Sequence, residues 1–198
     1  TPGDLTQTAF EVELVLDGDP QTGTNIFTGG VSPIQVTGLL PITDYDVYVR
    51  ADCGNGDFSS WTGPISFTTP CAVFTPDYVT GFNTYLPDCW SEAGDGDAVN
   101  GPDPTTTTSG WLADGFANNG FTGSAQYNFF LSGDVEWLIS PTFDLSAGGY
   151  EIDFDVALTP FSGTAAAQLT QQYTMRLLMS ETPGVWTTLN TWDSSNSP

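Results

Sequence analysis

The segment from residue 45 to residue 51 limits the possible folds of this chain more than any other. Apolar and polar side chains alternate there without interruption, in the order Tyr45, Asp46, Val47, Tyr48, Val49, Arg50 and Ala51. Successive side chains of a strand point to opposite faces, so this pattern predicts a strand with one buried and one solvated face. Residues 64–69 are expected to pair with it as an antiparallel hairpin.

The same alternation recurs along the chain, and no segment has the apolar spacing of an amphipathic helix. The predicted strands are residues 10–16, 34–36, 45–51, 64–69, 135–139, 152–156 and 173–179, with a turn at 17–24. The sequence therefore predicts an all-β fold of antiparallel sandwich sheets. Its 198 residues, 39% hydrophobic and 13% aromatic, are enough for one large or two ordinary domains with real cores.

The charge of the chain is strongly one-sided. It has 24 acidic residues, two arginines, no lysine and no histidine, for a formal net charge of −22. Such a chain repels phosphate backbones and anionic bilayers, so nucleic acid is not expected as a partner. No stretch approaches the roughly 20 apolar residues that a membrane helix needs, so membrane insertion is not expected either.

The residues that lead into the strand at 45–51 resemble a known family. Residues 38–45 read GLLPITDY, and SWTGPISFTT follows at 60–69. Together with the strand between them, these runs resemble the last two strands of a fibronectin type III domain. The resemblance implies that Tyr45 folds back onto the corner that precedes it. It also implies seven strands, of which the first two have no counterpart before Phe10. Residues 1–70 are thus expected to form an incomplete domain of this family.

A second resemblance begins at residue 71, where asparagine, glycine, threonine and aromatic residues become dense. FNTYLPDCW at 82–90, Trp111, and DVEWLISPTFDLSAGGYEIDFDVAL at 134–158 are similar to the jelly-roll family of cleaved-adhesin and MAM-like domains. The Trp-Leu-Ile-Ser-Pro run from Trp137 to Pro141 is the most specific part. Residues 71–198 are thus expected to form a β-jelly-roll sandwich that is truncated at its C-terminal end.

The two resemblances together imply a function. They imply a non-catalytic segment of a large modular protein that serves adhesion or surface display. Such proteins are secreted or placed on the cell surface by Gram-negative bacteria that use the type IX route. The alternative is a carbohydrate-binding accessory module of a secreted hydrolase. Expected partners are flanking domains of a longer chain or other subunits of an assembly, with glycans as further candidates.

Three cysteines leave at least one thiol without a partner inside the chain. In a hairpin of residues 45–51 and 64–69, Cys53 and Cys71 lie at opposite poles, roughly 30 Å apart at about 3.3 Å per residue. A disulfide needs Cα atoms within about 7 Å, so we predict a bond between Cys71 and Cys89. Cys53 then either pairs with a cysteine outside this chain or is a buried free thiol.

Four acidic residues of the second region are candidate calcium ligands. Asp95 and Asp97 flank a glycine, and Asp134 and Glu136 precede the tryptophan strand. Alternating carboxylates and backbone carbonyls suit a hard cation that takes about six to eight oxygen ligands. Jelly rolls of the resembled family often hold a structural calcium near their first strands. The sequence therefore predicts a structural calcium site, with an exposed acidic turn as the alternative.

Catalysis is not expected. The absence of histidine excludes serine–histidine and cysteine–histidine nucleophiles and zinc sites with imidazole ligands. Asp153 and Asp155, about 7 Å apart on one predicted strand face, are the pair to weigh for glycoside hydrolysis. A same-strand pair of carboxylates is also the usual pattern of a wet sheet face.

Exposed aromatic rings are the remaining candidates for a site, because they stack on the apolar faces of sugar rings. Core packing is expected for Trp90 and Trp137. Trp111 instead lies in the loop-like run TTTTSGWLADGFANNGF. Trp111, Tyr127 and Phe129 are therefore predicted to line a ligand-binding surface, with core packing as the alternative for Trp111.

Overall fold

The computed structural model describes residues 9–30, 32–107, 109–130 and 133–198. Strands hold 37% of the chain and helix 2%, so the fold is all-β with antiparallel sheets, as predicted. The chain divides into two compact units, Thr1–Ala72 and Val73–Pro198, whereas the sequence predicted a division after residue 70.

The strands are numbered in chain order. Unit 1 contains β1 (Ala9–Leu16), β2 (Ile26–Gly29), β3 (Asp44–Gly54), β4 (Asp57–Phe58) and β5 (Thr62–Thr68). Unit 2 contains β6 (Ser91–Ala93), β7 (Gly96–Asp97), β8 (Gly101–Pro102), β9 (Trp111–Asp114), β10 (Ser124–Tyr127), β11 (Trp137–Ile139), β12 (Met175–Thr182) and β13 (Val185–Trp192). A single 3₁₀ turn, Phe116–Asn118, is the helical element of the described residues.

Unit 1 is built around one continuous antiparallel sheet. β3 pairs with β1 along one edge and with β4 and β5 along the other, and β2 pairs with the outer edge of β1. The register places Val12 opposite Val49 and Leu14 opposite Val47, so the apolar positions of the two central strands share one face. The strands predicted at 10–16, 45–51 and 64–69 are therefore confirmed.

The loop after β1 is fixed by a buried carboxylate. Glu13 has no solvent-exposed surface, and it accepts hydrogen bonds from the loop at residues 21–24. The donors are Gln21 Nε2 at 2.7 Å, Thr22 N at 2.9 Å, Thr22 Oγ1 at 2.8 Å, and Gly23 N at 2.7 and 2.8 Å. Burial acts to raise the pKa of Glu13, but these hydrogen bonds outweigh it and lower the pKa to about 2.

One predicted strand of unit 1 is absent. Residues 33–40, all of them described, contain no strand, although Ile34 and Val36 alternate. Ile34 packs over Gly29 at the end of β2, where an added Cβ would lie 2.8 Å from Ile34 Cγ1. The segment therefore contacts the sheet through a side chain and not through a ladder of backbone hydrogen bonds.

Unit 2 contains short antiparallel pairs in place of one large sheet. The pairs among its described residues are β6 with β11, β7 with β8, β9 with β10, and β12 with β13. The strands predicted at 135–139 and 173–179 are present in β11 and β12. The strand predicted at 152–156 is wrong, because the described residues 147–174 form no ladder. Phe154 instead packs edge-on against Trp192, with ring centroids 6.0 Å apart.

Candidate functional site

The β9–β10 hairpin brings two of the predicted ligand-binding residues together. Its register places Tyr127 directly opposite Trp111, and their ring centroids are 5.7 Å apart. The loop between the strands is fastened by Asn118, whose Nδ2 donates to Gly163 O at 2.6 Å and whose Oδ1 accepts from Gln126 Nε2 at 3.0 Å. The hairpin therefore presents both rings from a fixed backbone.

Two further rings extend the pair into a continuous row. Phe129 stands perpendicular to Tyr127, with centroids 5.3 Å apart, and Tyr173 lies 5.0 Å from Phe129. We call Trp111, Tyr127, Phe129 and Tyr173 the aromatic surface. Phe129 is 37% exposed, and the other three are half-buried, so the row contacts solvent along its edge. Trp111, Tyr127 and Phe129 were predicted from the sequence, whereas Tyr173 was expected only as a core residue of a strand.

A glycine allows the surface to pack closely against an acidic strand. A Cβ on Gly110 would lie 2.8 Å from Tyr127 Cε2 and 3.5 Å from Glu136 Oε1. The Tyr127 ring therefore lies directly against this backbone. Gly110 N donates to Glu136 Oε2 at 2.9 Å, which holds the carboxylate beside the same residue.

A second carboxylate supports the residue that precedes this glycine. Ser109 Oγ donates to Glu92 Oε2 at 2.8 Å, and the Tyr85 hydroxyl donates to Glu92 Oε1. Trp111 N in turn donates to Ser109 Oγ at 3.1 Å. A carboxylate accepts about four hydrogen bonds, so Glu92 and Glu136 retain free acceptor positions.

The electrostatic field at the aromatic surface is negative. Burial raises the pKa of the Tyr127 phenol, and the charges of Glu136 and Asp134 and the neighbouring Tyr173 raise it further. Tyr127 therefore remains a neutral hydroxyl throughout the physiological range. The indole Nε1 atoms of Trp111 and Trp137 are buried without a hydrogen-bond partner among the described residues. Such groups are uncommon in folded proteins.

Three of the four predicted calcium ligands, Asp95, Asp97 and Glu136, accept hydrogen bonds, and the fourth, Asp134, is exposed in the segment that precedes β11. The pKa of Asp97 is lowered first by the Asn100 side chain, whose Nδ2 donates to Asp97 Oδ2 at 2.7 Å. Asn100 N and Val99 N lower it further by donating to Asp97 Oδ1 at 2.9 and 2.7 Å. Asp95 Oδ1 accepts from the next backbone N–H, and Glu136 accepts from Gly110. No group of three or more acidic, histidine or cysteine side chains suited to a metal occurs within the described ranges. Calcium binding stays a prediction.

The cysteines follow the predicted pairing. Cys71 and Cys89 are joined by a disulfide, a bond that forms and persists in oxidising compartments. Cys53 carries a free thiol, and it is exposed. The expectation of a buried thiol is therefore wrong, because the end of β3 lies at the margin of the sheet.

Most other tryptophans serve packing. Trp90 donates from Nε1 to the Tyr78 hydroxyl at 2.9 Å, and Trp137 packs against Trp186 with centroids 5.3 Å apart. Core packing was predicted for Trp90 and Trp137. Trp61 lies 4.6 Å from the Arg50 guanidinium in unit 1.

The two aspartates that were weighed for glycoside hydrolysis do not lie on a strand. Asp153 and Asp155 are exposed, and they belong to the segment without a ladder. Their expected placement on one strand face is therefore wrong.

Comparisons with known proteins leave the chain without an assigned family. No family model matches it, and neither a curated protein nor a solved structure matches it. Among the described residues, no helix is long and apolar enough to cross a membrane.

Proposed function

We propose that this chain is a non-catalytic binding segment of a modular bacterial protein, secreted or held at the surface of a Gram-negative cell, that serves adhesion or surface display. The observation that carries the proposal is the aromatic surface. Four rings from β9, β10 and the segments that follow β10 and precede β12 meet in one row beside two carboxylates. Aromatic rings bury large areas and dominate many binding interfaces.

Features of unit 1 support the modular origin. The Tyr45 hydroxyl accepts a hydrogen bond from Leu40 N at 3.1 Å, as expected for a tyrosine that folds back on the preceding corner. The strand order β2-β1-β3, with β5 on the far edge of β3, is compatible with one sheet of a fibronectin type III sandwich. Ile65 is 70% and Leu16 48% exposed, which fits a sheet face that a further sheet covers in the intact parent.

The disulfide supports an extracellular location, because such bonds are rare in reducing compartments. Intact mass of the protein from its native source tests the modular part of the proposal. We expect a mass well above 21.1 kDa, with further domains attached. A native mass of 21.1 kDa would contradict the modular parent and would favour completion of the sheet by other subunits.

A second candidate function is that of a carbohydrate-binding accessory module, and the carboxylates favour it. Sugar recognition combines an aromatic ring, which stacks on the apolar face of the sugar, with acceptors for its hydroxyl groups. The aromatic surface offers the rings, and Glu92 and Glu136 offer free acceptor positions. Adhesion through glycans and accessory binding of a polysaccharide would both use this contact between a sugar and the aromatic surface.

The contact is tested by affinity electrophoresis of the full chain in gels that contain chitin-derived, xylan or galactan polysaccharides. We expect retardation in at least one gel. The Phe129→Ala variant should bind about fivefold more weakly, because a stacked ring contributes about 1 kcal/mol. Phe161→Ala is the matched control, since Phe161 is 73% exposed and lies outside the aromatic surface. Equal retardation of both variants would contradict a role for this surface.

A further inference from the structure

The charge distribution around the aromatic surface narrows the class of ligand. Glu92 and Glu136 are held beside Ser109 and Gly110, at the start of β9, and the charge of Asp134 also acts on Tyr127. The whole sequence contains two cationic side chains, Arg50 and Arg176. The charges of Glu136 and Asp134 thus act on Tyr127, in a chain that supplies little positive charge of its own.

Neither arginine forms an ion pair with Glu136 or Asp134 among the described residues. Arg50 is paired with Glu11, with its Nη2 2.6 Å from Glu11 Oε2, and its guanidinium lies 4.0 Å from the Phe58 ring centroid. Arg176 is an exposed side chain of β12. The carboxylates at the aromatic surface are therefore available to an external cation.

The rings and the carboxylates favour the same partner. The faces of aromatic rings carry negative potential and attract ammonium groups within about 6 Å. The Tyr127 ring and the Glu136 carboxylate both lie against Gly110, Glu136 through the hydrogen bond that it accepts from Gly110 N, so a ring and a carboxylate are neighbours at the start of β9. An ammonium group that pairs with Glu136 from the solvent side therefore also approaches the aromatic surface.

We propose that the aromatic surface selects an amine-bearing sugar, in which a pyranose face stacks on the rings while its ammonium group meets Glu136. The proposal rests on the carbohydrate-binding function above and adds the charge of the ligand. A neutral N-acetylated sugar retains the stacking but loses the ion pair. A uronic acid places its carboxylate against Glu136 and Asp134, and this repulsion opposes binding.

Isothermal titration of the full chain with three hexasaccharides of matched length tests the proposal. The probes are hexamers of glucosamine, N-acetylglucosamine and galacturonic acid. We expect the glucosamine hexamer to bind at least tenfold more tightly than the N-acetylated hexamer, and the galacturonate hexamer not to bind. Hexalysine serves as a cation without a sugar ring and should bind at least tenfold more weakly than the glucosamine hexamer.

The Glu136→Gln variant identifies the carboxylate that is responsible. Glutamine keeps an oxygen to accept from Gly110 N, so the local backbone is preserved. We expect the variant to lose about tenfold more affinity for the glucosamine hexamer than for the N-acetylated hexamer, because only the glucosamine hexamer loses an ion pair. Asp153→Asn changes the net charge equally at an exposed position, and it should leave both affinities within twofold.

The outcomes separate this inference from the function on which it rests. Equal affinity for both chitin-derived hexamers, with no effect of Glu136→Gln, would overturn the amine preference and leave carbohydrate binding in place. Hexalysine that binds as tightly as the glucosamine hexamer would overturn the sugar as the ligand. If none of the three hexasaccharides binds while one of the polysaccharide gels still retards the chain, the inference is contradicted and carbohydrate binding stands. If no gel retards the chain either, both are contradicted.

Discussion

The two units of this chain reach an ordered structure by different means. Unit 1 arranges its strands in one sheet, in which β3 is paired on both edges and Glu13 is buried with its hydrogen bonds satisfied. Where it is described, unit 2 has four separate strand pairs, long segments without a ladder, and a network of ring contacts. A continuous sheet satisfies backbone groups locally, whereas ring contacts and a cross-link fix segments that strands do not.

The difference explains where a binding surface can form. A sheet whose strands are paired on both edges presents regular alternating faces, so its side chains have little freedom to converge. In unit 2 the hairpin β9–β10 and the unpaired segments at 128–130 and 170–174 bring rings from distant parts of the chain into contact. Loops positioned on a fixed scaffold commonly carry binding residues for this reason.

The largest predicted effect concerns the cross-link. Replacing both Cys71 and Cys89 by serine opens a loop of roughly 18 residues and should lower the free energy of unfolding by about 3 kcal/mol. Residues 73–88 of this loop belong to unit 2, so we expect the loss in the unfolding transition of unit 2, followed by the fluorescence of its tryptophans in urea. Cys53→Ser is the control and should leave the transition unchanged. A loss of stability confined to unit 1 would contradict this prediction.

The next effect concerns the buried carboxylate of unit 1. Glu13→Gln should destabilise unit 1 by about 2 kcal/mol, since charged acceptors of several hydrogen bonds are replaced by one neutral oxygen and an amide. Asp19→Asn, at an exposed position of the same loop, should change stability by less than about 0.5 kcal/mol. Circular dichroism during urea unfolding measures both.

The pH dependence of unit 1 follows from the same residue. The folded pKa of Glu13 is about 2, below its ordinary value of 4.5, so the unfolded chain takes up the proton first as the pH falls. The stability that ionised Glu13 contributes is present above about pH 5 and is lost as the pH falls towards 2. The difference between wild type and Glu13→Gln should therefore shrink over this range. A difference that stays constant from pH 6 to pH 3 would contradict the assignment.

A smaller effect tests the corner of unit 1. Tyr45→Phe removes the acceptor of the Leu40 N–H and should cost about 1 kcal/mol. Tyr48→Phe, on the opposite face of β3, is the matched control. If both variants lose the same amount, the hydrogen bond at the corner is not the cause.

The last prediction compares the rates at which trypsin cleaves the two units at their arginines. Arg50 lies within β3 between the Phe58 and Trp61 rings, whereas Arg176 is exposed on β12 in a two-stranded sheet. Trypsin cleaves segments of a folded protein that open locally. We therefore expect cleavage after Arg176 to be at least about tenfold faster than cleavage after Arg50. Mass spectrometry of the first fragments measures the order. Initial cleavage after Arg50 would show that unit 1 opens more readily.

Alternation in the sequence predicted strands well where a partner strand lies nearby. Residues 10–16 and 45–51 pair with each other, and both became strands. Residues 34–36 and 152–156 alternate equally well but have no ladder, because pairing depends on neighbours that a local pattern does not specify. The disulfide was predictable, since strand geometry excluded the pairing of Cys53 with Cys71.

The sequence predicted most of the residues of the aromatic surface but not how they are arranged. Trp111, Tyr127 and Phe129 were identified because rings in a loop-like segment are candidates for a surface. Tyr173 was missed because it comes from a distant segment and fits a strand pattern. Glu136 was identified as a candidate calcium ligand, and the hydrogen bond that it accepts from Gly110 was not foreseen. Local sequence shows that a carboxylate is present but not which donor it meets.

The most direct test of the aromatic surface is a titration followed through the indole N–H signals of the six tryptophans in a nitrogen–proton correlation spectrum. The full chain is titrated with the glucosamine and N-acetylglucosamine hexamers in turn. We predict that the Trp111 signal shifts saturably with at least one hexamer, while the Trp61 signal of unit 1 stays in place. A Trp111 signal that does not move with either hexamer, or an equal shift of Trp61, would contradict the account.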